Sequence, residues 1–283
     1  MTVVLETIAD ARQWVRRERS AGKSLGLVPT MGAFHEGHLS LIRRAREQCG
    51  QVVVSVFVNP LQFVAGEDFE SYPRDFRRDL ALAKQERVDA LFHPAAEEMY
   101  PEAQRITIQA GRLAEVLCGP ARPGHFAGVA TIVAKLLNVL QPDRIFLGQK
   151  DAQQAVVIQR MIAELGFPVQ VEVCPTVREA DGLAMSSRNA YLSAEERPNA
   201  TVLYRALCRA ASLIQSGERD APRVELEMRG LIESVAGAEL DYASVVDRQT
   251  LESVSTIDRE VLVAVAVRFG KARLIDNIAV GPD

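Results

Sequence analysis

The segment Leu25-Gly26-Leu27-Val28-Pro29-Thr30-Met31-Gly32-Ala33-Phe34-His35-Glu36-Gly37-His38 constrains the fold more than any other. A short apolar run reads as a buried strand, and the glycine-punctuated turn after it leads into a helix. That order, strand then turn then helix, is the opening of a βαβ unit. Two of the chain's 4 histidines fall in the tetrapeptide His35-Glu36-Gly37-His38. Three-residue spacing places both rings on one side of a first helical turn. The N–H groups of such a turn are expected to be free, and the helix dipole favours an anion beside them. Gly37 leaves room for a close approach. The segment reads as a phosphate site with imidazole donors. It is neither a Walker loop nor the dinucleotide fingerprint, because Gly-Lys-Ser/Thr and Gly-x-Gly-x-x-Gly are both absent from it. Two other readings of the histidines are an ordinary helix start and zinc ligation. Zinc needs further ligands, and His93 and His125 lie far off in sequence.

The βαβ pattern continues. Strands are expected at Leu25–Val28, Val52–Val58, Ala90–His93, Arg105–Gln109, Arg144–Leu147 and Val169–Val173. Helices are expected at Ile8–Ser20, His38–Gln48, Asp75–Glu86, Phe126–Leu140 and Ala152–Leu165. Val52-Val53-Val54 and Val56-Phe57-Val58 are apolar on both faces, as in a strand covered by helices on both sides. The expectation is an α/β, Rossmann-like, doubly wound parallel sheet. After about residue 176 the texture changes. Helices at Ala194–Gln215 and Ala221–Ala236 precede strands at Tyr242–Val246, Val261–Val267 and Ala272–Ile278, with a hairpin at Arg268-Phe269-Gly270-Lys271. Residues 1–176 are therefore expected to form the sheet domain, and residues 177–283 a smaller α+β domain acting as a lid.

Composition narrows the classes. The 283 residues carry a net charge of -4, which gives no reason to expect a nucleic-acid partner. Cys49, Cys118, Cys174 and Cys208 show no paired spacing, so neither a zinc knuckle nor a redox pair is indicated. No apolar run approaches bilayer length. No charged start with a long apolar core opens the sequence. A cytoplasmic chain with reduced thiols and no membrane partner is the expectation.

Three further motifs sit where an open parallel sheet binds ligands, after its strands. In Asn59-Pro60-Leu61-Gln62-Phe63 two amides can hold a hydroxylated carboxylate. A plain turn before Pro60 is the other reading. In Gly148-Gln149-Lys150-Asp151, Lys150 offers a compact charge to phosphate and Asp151 can hold ribose or cap a helix whose first turn carries Gln153 and Gln154. In Met185-Ser186-Ser187-Arg188, two hydroxyls and a guanidinium can clamp phosphate. By themselves the second motif also reads as a capped surface helix and the third as a solvated loop. Together they suit transfer of a carboxylate to the α-phosphate of ATP. That reaction depends on positioning and charge stabilisation, with Mg²⁺ on the departing pyrophosphate.

With Pro29 through His38, Asn59 through Phe63, Gly148 through Asp151, Met185 through Arg188, Tyr72-Pro73-Arg74 and Val177 through Gly182 in place, the chain resembles the pantoate–β-alanine ligase family. The likeness runs from the first helix to the last hairpin. That family belongs to the His-x-Gly-His nucleotidyltransferases, and its Met-Ser-Ser-Arg loop is similar to the Lys-Met-Ser-Lys-Ser loop of class I aminoacyl-tRNA synthetases. The resemblance implies ATP and (R)-pantoate as first substrates, a pantoyl adenylate intermediate, and attack by β-alanine. It implies that Pro29, Thr30, Met31, Gly32, Ala33, Phe34, His35, Glu36, Gly37 and His38 line the ATP site, with Gly148, Gln149, Lys150, Asp151, Val177, Met185, Ser186, Ser187 and Arg188. His38 would donate a proton. His35, Lys150, Ser186, Ser187 and Arg188 would share the catalysis. Gln62, Gln154 and Asn59 would bind pantoate, and Gln62 also β-alanine. Asp79 is a candidate magnesium ligand. A homodimer is implied. Many members have Glu where this chain has Gln149, a swap that leaves Lys150 and Asp151 in place. The competing readings are a simple adenylyltransferase, a tRNA-synthetase fragment and a nucleotide sensor without catalysis. Their discriminators are the reaction product, a basic helical module, and loss of the acid-binding glutamines.

Overall fold

A computed structural model describes residues 2–282. The elements run β1 (Val3–Leu5), α1 (Ile8–Ser20), β2 (Leu25–Thr30), α2 (Glu36–Gln48), β3 (Gln51–Val56), α3 (Phe76–Gln85), β4 (Ala90–Phe92) and α4 (Ala96–Met99). They continue with α5 (His125–Leu140), β5 (Arg144–Gly148), α6 (Ala152–Glu164), β6 (Gln170–Cys174), α7 (Glu196–Asn199), α8 (Val202–Gln215) and α9 (Ala221–Glu233). The chain closes with β7 (Ala238–Asp247), β8 (Val261–Phe269) and β9 (Ala272–Val280).

The fold divides into two units. The first comprises the chain up to Ala114, Gly119–Gly148 and Val157–Pro175. The second comprises Glu115–Cys118, Gln149–Val156 and the chain from Thr176 onward.

In the first unit six strands lie in the order β1-β4-β3-β2-β5-β6. Every pairing is parallel. The physical reason is legible in β3, whose residues Gln51 to Val56 are all buried. The chain steps from β2 to β3 to β4 in one direction and takes up β5 and β6 on the other side of β2. The carboxyl end of β2 is therefore the switch point, where open sheets of this kind bind ligands. Phe34, Leu39, Ile42 and Ala45 pack beside Val28, Val52 and Val54 in the core that fixes α2 to the sheet.

In the second unit β7, β8 and β9 form an antiparallel sheet in sequence order. Val263, Val265 and Val267 of β8 share a core with Leu203, Leu207, Ala210 and Ile214 of α8 and with Val224 and Met228 of α9.

Three expectations are corrected. Arg105–Gln109 forms no strand; its Ile106 is 79% exposed, and the Ile108 N–H donates to the Thr131 hydroxyl at 3.0 Å rather than to a ladder. The helix expected at Ala194–Gln215 is broken into α7 and α8. There the Pro198 carbonyl accepts from Thr201 Oγ1 at 2.7 Å and from the Thr201 N–H at 3.3 Å, an i−3 tightening that ends α7. A strand at Val3–Leu5 is added, paired with β4 at the sheet edge. Among the described residues no helix is long and apolar enough to cross a membrane.

Candidate functional site

In the first unit the Thr30–His38 loop is built from the backbone outward. Thr30 Oγ1 donates to the Ser55 carbonyl at 2.6 Å and accepts from the Gly32 N–H at 3.2 Å. The chain then turns through two left-handed residues, Gly32 at φ 85° and Ala33 at φ 53°. A side chain at Gly32 would meet Asp79 Oδ2 at 2.9 Å. That carboxylate, only 1% exposed, accepts the Ala33 N–H at 2.9 Å and the Phe34 N–H at 2.7 Å. Burial pushes the Asp79 carboxyl above its ordinary range, against the pull of those two N–H groups.

Next comes a reciprocal cap on α2. His35 Nδ1 accepts the Gly37 N–H at 3.1 Å, and His38 Nδ1 accepts the His35 N–H at 3.3 Å. The ring centroids lie 4.1 Å apart. An imidazole nitrogen that accepts a backbone N–H carries no proton, so in each neutral ring the proton sits on Nε2. The Gly37 N–H, expected to be free for an anion, is taken by His35. In the cap both rings use Nδ1 as the acceptor, so the donor of each ring is Nε2–H.

The amide pair after β3 divides its labour in a way the sequence did not suggest. Asn59 was expected to bind the acid. It is 1% exposed and saturated within the protein. Its Nδ2 donates to Gln62 Oε1 and to the Gly128 carbonyl, both at 3.1 Å. Its Oδ1 accepts from the Leu61 N–H at 3.3 Å and from the Tyr100 hydroxyl at 2.8 Å. Asn59 therefore aims Gln62. Gln62 Nε2 lies 3.0 Å from the Met31 sulfur. Its carbonyl accepts from His125 Nδ1 at 2.7 Å, and His125 Nε2 accepts from Arg122 Nη1 at 2.8 Å. Arg122 also pairs with Glu67. Burial raises the Glu67 carboxyl, and the Arg122 hydrogen bond and charge outweigh it, leaving the group below its ordinary range. His125, Tyr100, Arg122 and Glu67 were not anticipated as supports of Gln62. The signal available for His125 was its place at the start of an apolar helix after Gly124, which is left-handed at φ 85°.

In the second unit Gln149–Asp151 is a short 3₁₀ turn ahead of α6. Lys150 Nζ is 3.5 Å from Asp151 Oδ1. Gln153 is spent on structure: its Oε1 accepts the Cys118 N–H at 2.9 Å and its Nε2 donates to the Val116 carbonyl at 2.7 Å. Gln154, half-buried, follows on the same helical turn. The Val177–Met185 segment folds back on itself. The Met185 N–H donates to the Val177 carbonyl at 3.0 Å, and the Glu179 N–H donates to the Leu183 carbonyl at 2.8 Å. Ser186 Oγ then accepts the Arg188 N–H at 3.3 Å and caps a 3₁₀ helix, Ser187–Tyr191. Ser186, Ser187 and Arg188 are half-buried. Thr176 Oγ1 and Asn189 Oδ1, at the two ends of this segment, are buried without a hydrogen-bond partner. Such atoms mark a place where a polar ligand can bind.

Asp79, the candidate magnesium ligand, is occupied within the protein. Both Asp79 oxygens are committed to backbone N–H groups. Among the described residues no three His, Cys, Asp or Glu side chains gather as a metal site.

Comparison with known proteins agrees over the full length. Residues 3–279 match the family model described as pantoate-beta-alanine ligase. Pantothenate synthetase of Heliobacterium modesticaldum is 54% identical over 98% of this chain and 99% of its own. That of Syntrophomonas wolfei is 51% identical over the same shares. The crystal structure of pantothenate synthetase from Thermus thermophilus superposes with a TM-score of 0.93 at 46% identity, covering 99% of this chain and 100% of that one. Pantoate-beta-alanine ligase from Francisella tularensis, complexed with beta-gamma ATP and beta-alanine, gives 0.81 at 31% identity over 98% and 97% of the two chains. With that sheet, that switch-point loop and those relatives, this chain belongs to the pantoate–β-alanine ligase family.

Proposed function

We propose that this chain condenses (R)-pantoate with β-alanine at the expense of ATP, in two steps. A pantoate carboxylate oxygen attacks the α-phosphorus, the α–β phosphoanhydride bond breaks, and pyrophosphate leaves. The β-alanine amine then attacks the acyl carbon of pantoyl adenylate, loses a proton, and AMP leaves with the pantoate oxygen. Pantothenate is the product. The observation that carries this reading is the reciprocal cap, which fixes both His35 and His38 as Nε2–H donors at the switch point of the sheet.

On this reading His38 and His35 donate to the phosphates as charge develops. Lys150, Ser186, Ser187 and Arg188 are assigned as further donors to ATP phosphate. Preorganised donors of this kind act on the transition state more than on bound substrate. Pro29 through His38, Gly148 through Asp151, Val177 and Met185 frame the nucleotide. Gln62 and Gln154 hold pantoate, and Gln62 serves β-alanine in the second step. Mg²⁺ is assigned to the ATP phosphates themselves. A homodimer and a lid role for residues 177–283 complete the reading. Sedimentation tests the first, and pyrophosphate exchange by the double variant Ser187→Ala/Arg188→Ala tests the second.

The test of the whole is exchange of labelled pyrophosphate into ATP. It should require pantoate and proceed without β-alanine. Exchange that starts only when β-alanine is added would rule out a free acyl adenylate. A dinucleotide-like adduct in place of AMP would point to a simple adenylyltransferase.

A further inference from the structure

Two consecutive residues of β9, Asp276 and Asn277, are both buried, at 2% and 4% exposure. They interrupt an otherwise apolar stretch from Leu274 to Val280, and each holds a different loop. Asp276 holds the segment that leads to Met185. Arg178 Nη2 donates to Asp276 Oδ1 at 3.0 Å and Arg178 Nη1 donates to Oδ2 at 2.5 Å, a fork on a carboxylate. The same Nη1 donates to the Gly182 carbonyl at 3.1 Å. Arg178 stacks over the Tyr204 ring at 4.2 Å. Gly182 is left-handed at φ 91°, and a Cβ there would stand 2.0 Å from Tyr204 Cδ1. The turn is thus seated against Arg178 and Tyr204 together.

Asn277 holds the turn that carries Lys150. Its Nδ2 donates to the Gln149 carbonyl at 3.0 Å and to the Lys150 carbonyl at 2.9 Å. Gln149 Nε2 donates back to Asn277 Oδ1 at 2.8 Å. The Asn277 N–H donates to Asp276 Oδ1 at 2.8 Å and joins the two halves. Both hydrogens of one amide are spent on two successive carbonyls, which fixes the direction in which Lys150 leaves the backbone. Packing alone does not call for this set. Replacing a buried ion pair with apolar residues of similar volume is often neutral or stabilising, whereas a satisfied polar network specifies one geometry.

We infer that Asp276 and Asn277 are positioning residues for adenylate formation. They hold the Lys150 turn and the Ser186–Arg188 loop in one fixed relation, so that both meet the same triphosphate. Neither residue touches substrate. The inference rests on the adenylation reading above.

The test is pantoate-dependent pyrophosphate exchange in the full chain, with melting temperature and pantoate affinity read alongside. Exchange in the wild type checks the adenylation reading separately, because its absence would defeat that reading before any variant is compared. Given exchange, Asn277→Ala and Asp276→Asn should each lower its maximal rate by about 10–100-fold, the scale of a donor displaced by about 1 Å. Pantoate affinity should stay within about twofold, since the clasp bonds the Gln149 and Lys150 carbonyls and neither residue assigned to pantoate. The decisive readout is a cycle. In a Lys150→Ala background Asn277→Ala should cost less than about threefold, because nothing remains for it to position, and Asp276→Asn should behave likewise in an Arg188→Ala background. A penalty of unchanged size in those backgrounds, or a rise in KM for ATP at unchanged maximal rate, overturns the proposal. Should Asn277→Ala fail to fold, Asn277→Ser, with one donor in place of two, enters the same cycle under the same criteria.

Discussion

The Met31–His38 loop is held by its own two histidines together with Asp79 of α3, whereas the Gln149–Asp151 turn is held by Asn277, 128 residues after Gln149. Each brace includes a buried aspartate. Asp79 takes two backbone N–H groups of its loop, and Asp276 takes the guanidinium at the base of its own. In the first case the two imidazoles at once cap a helix and carry the donors to ligand. In the second, the residues assigned to phosphate and the residues that aim them are different residues. Function and stability are therefore fused in one region and separable in the other.

The largest expected effects test that separation. His38→Ala and Lys150→Ala should each slow adenylation by about 100–1000-fold, the usual loss for one donor to developing charge. Only His38→Ala should also lower the melting temperature, because it removes half of a reciprocal cap whose loss costs about 1 kcal/mol. Single-turnover quench measurements and calorimetric melting on both variants decide the matter. Equal melting temperatures for the two would break the comparison.

The acid pocket is the next test. Gln62→Ala removes an amide from the pantoate site, at about 1–3 kcal/mol. Gly128→Ala reaches the same amide from behind. Its Cβ would lie 2.2 Å from the Leu61 carbonyl oxygen and 2.6 Å from the Gln62 nitrogen. Overpacking on that scale costs about 1–3 kcal/mol and has to move the Pro60–Gln62 turn. Both variants should weaken pantoate binding and spare ATP binding when the two are titrated separately. If Gly128→Ala weakens both ligands alike, the turn is not the element displaced.

How much of this was legible in the sequence follows the same divide. The His35 to His38 spacing, the turn before it and the apolar run of β3 are local patterns, and they located the parallel sheet and its switch point. The 3-residue strand Val3–Leu5 carries too little pattern to separate it from a loop. Arg105–Gln109 alternates as a strand would, but no partner strand receives it. Asn59 looked like a substrate ligand because a sequence shows its hydrogen-bonding capacity and conceals the four partners that exhaust it. Asp276 and Asn277 were invisible as a clasp because their partners, Arg178, Gln149 and Lys150, lie about a hundred residues earlier. The one local sign was an adjacent polar pair in a strand whose other residues between Leu274 and Val280 are apolar.

Asp79→Asn probes the brace of the Met31–His38 loop directly. An asparagine can present only one acceptor oxygen to the two N–H groups of Ala33 and Phe34, and leaving one buried N–H unpaired costs about 1–3 kcal/mol. The pH dependence has a definite sign. The folded-state Asp79 is raised above its ordinary 3.8, chiefly by burial. A raised carboxyl contributes stability that is fully present below the unfolded value and is lost as pH rises through the folded one. The lead of the wild type over Asp79→Asn, measured by urea unfolding, should therefore shrink as pH rises through that window. A lead that grows instead would mean that the two N–H groups outweigh burial.

Asp247 supplies the opposite sign and the smallest effect. It sits at the end of β7, in neither loop system, and is held down to about 2 by the N–H groups of Thr250 and Gln249 and by Arg259. Its carboxylate accepts those two N–H groups at 2.9 and 2.8 Å. A lowered carboxyl contributes stability that is present above its unfolded value of 3.8 and lost as pH falls through about 2. Arg259 is 61% exposed, so solvent screens much of its pull and the whole contribution should stay below about 1 kcal/mol. Asp247→Asn should therefore lose little at neutral pH. The lead of the wild type over it should grow as pH rises from about 2 to 3.8, whereas the lead over Asp79→Asn should hold there and shrink as pH rises above 3.8. Pyrophosphate exchange should be unchanged in Asp247→Asn at neutral pH. A turn carboxylate and a loop-bracing carboxylate would then be told apart by the sign of a slope, with no reference to activity. If both leads move in the same direction with pH, burial is not what distinguishes Asp79, and the contrast between the two aspartates fails.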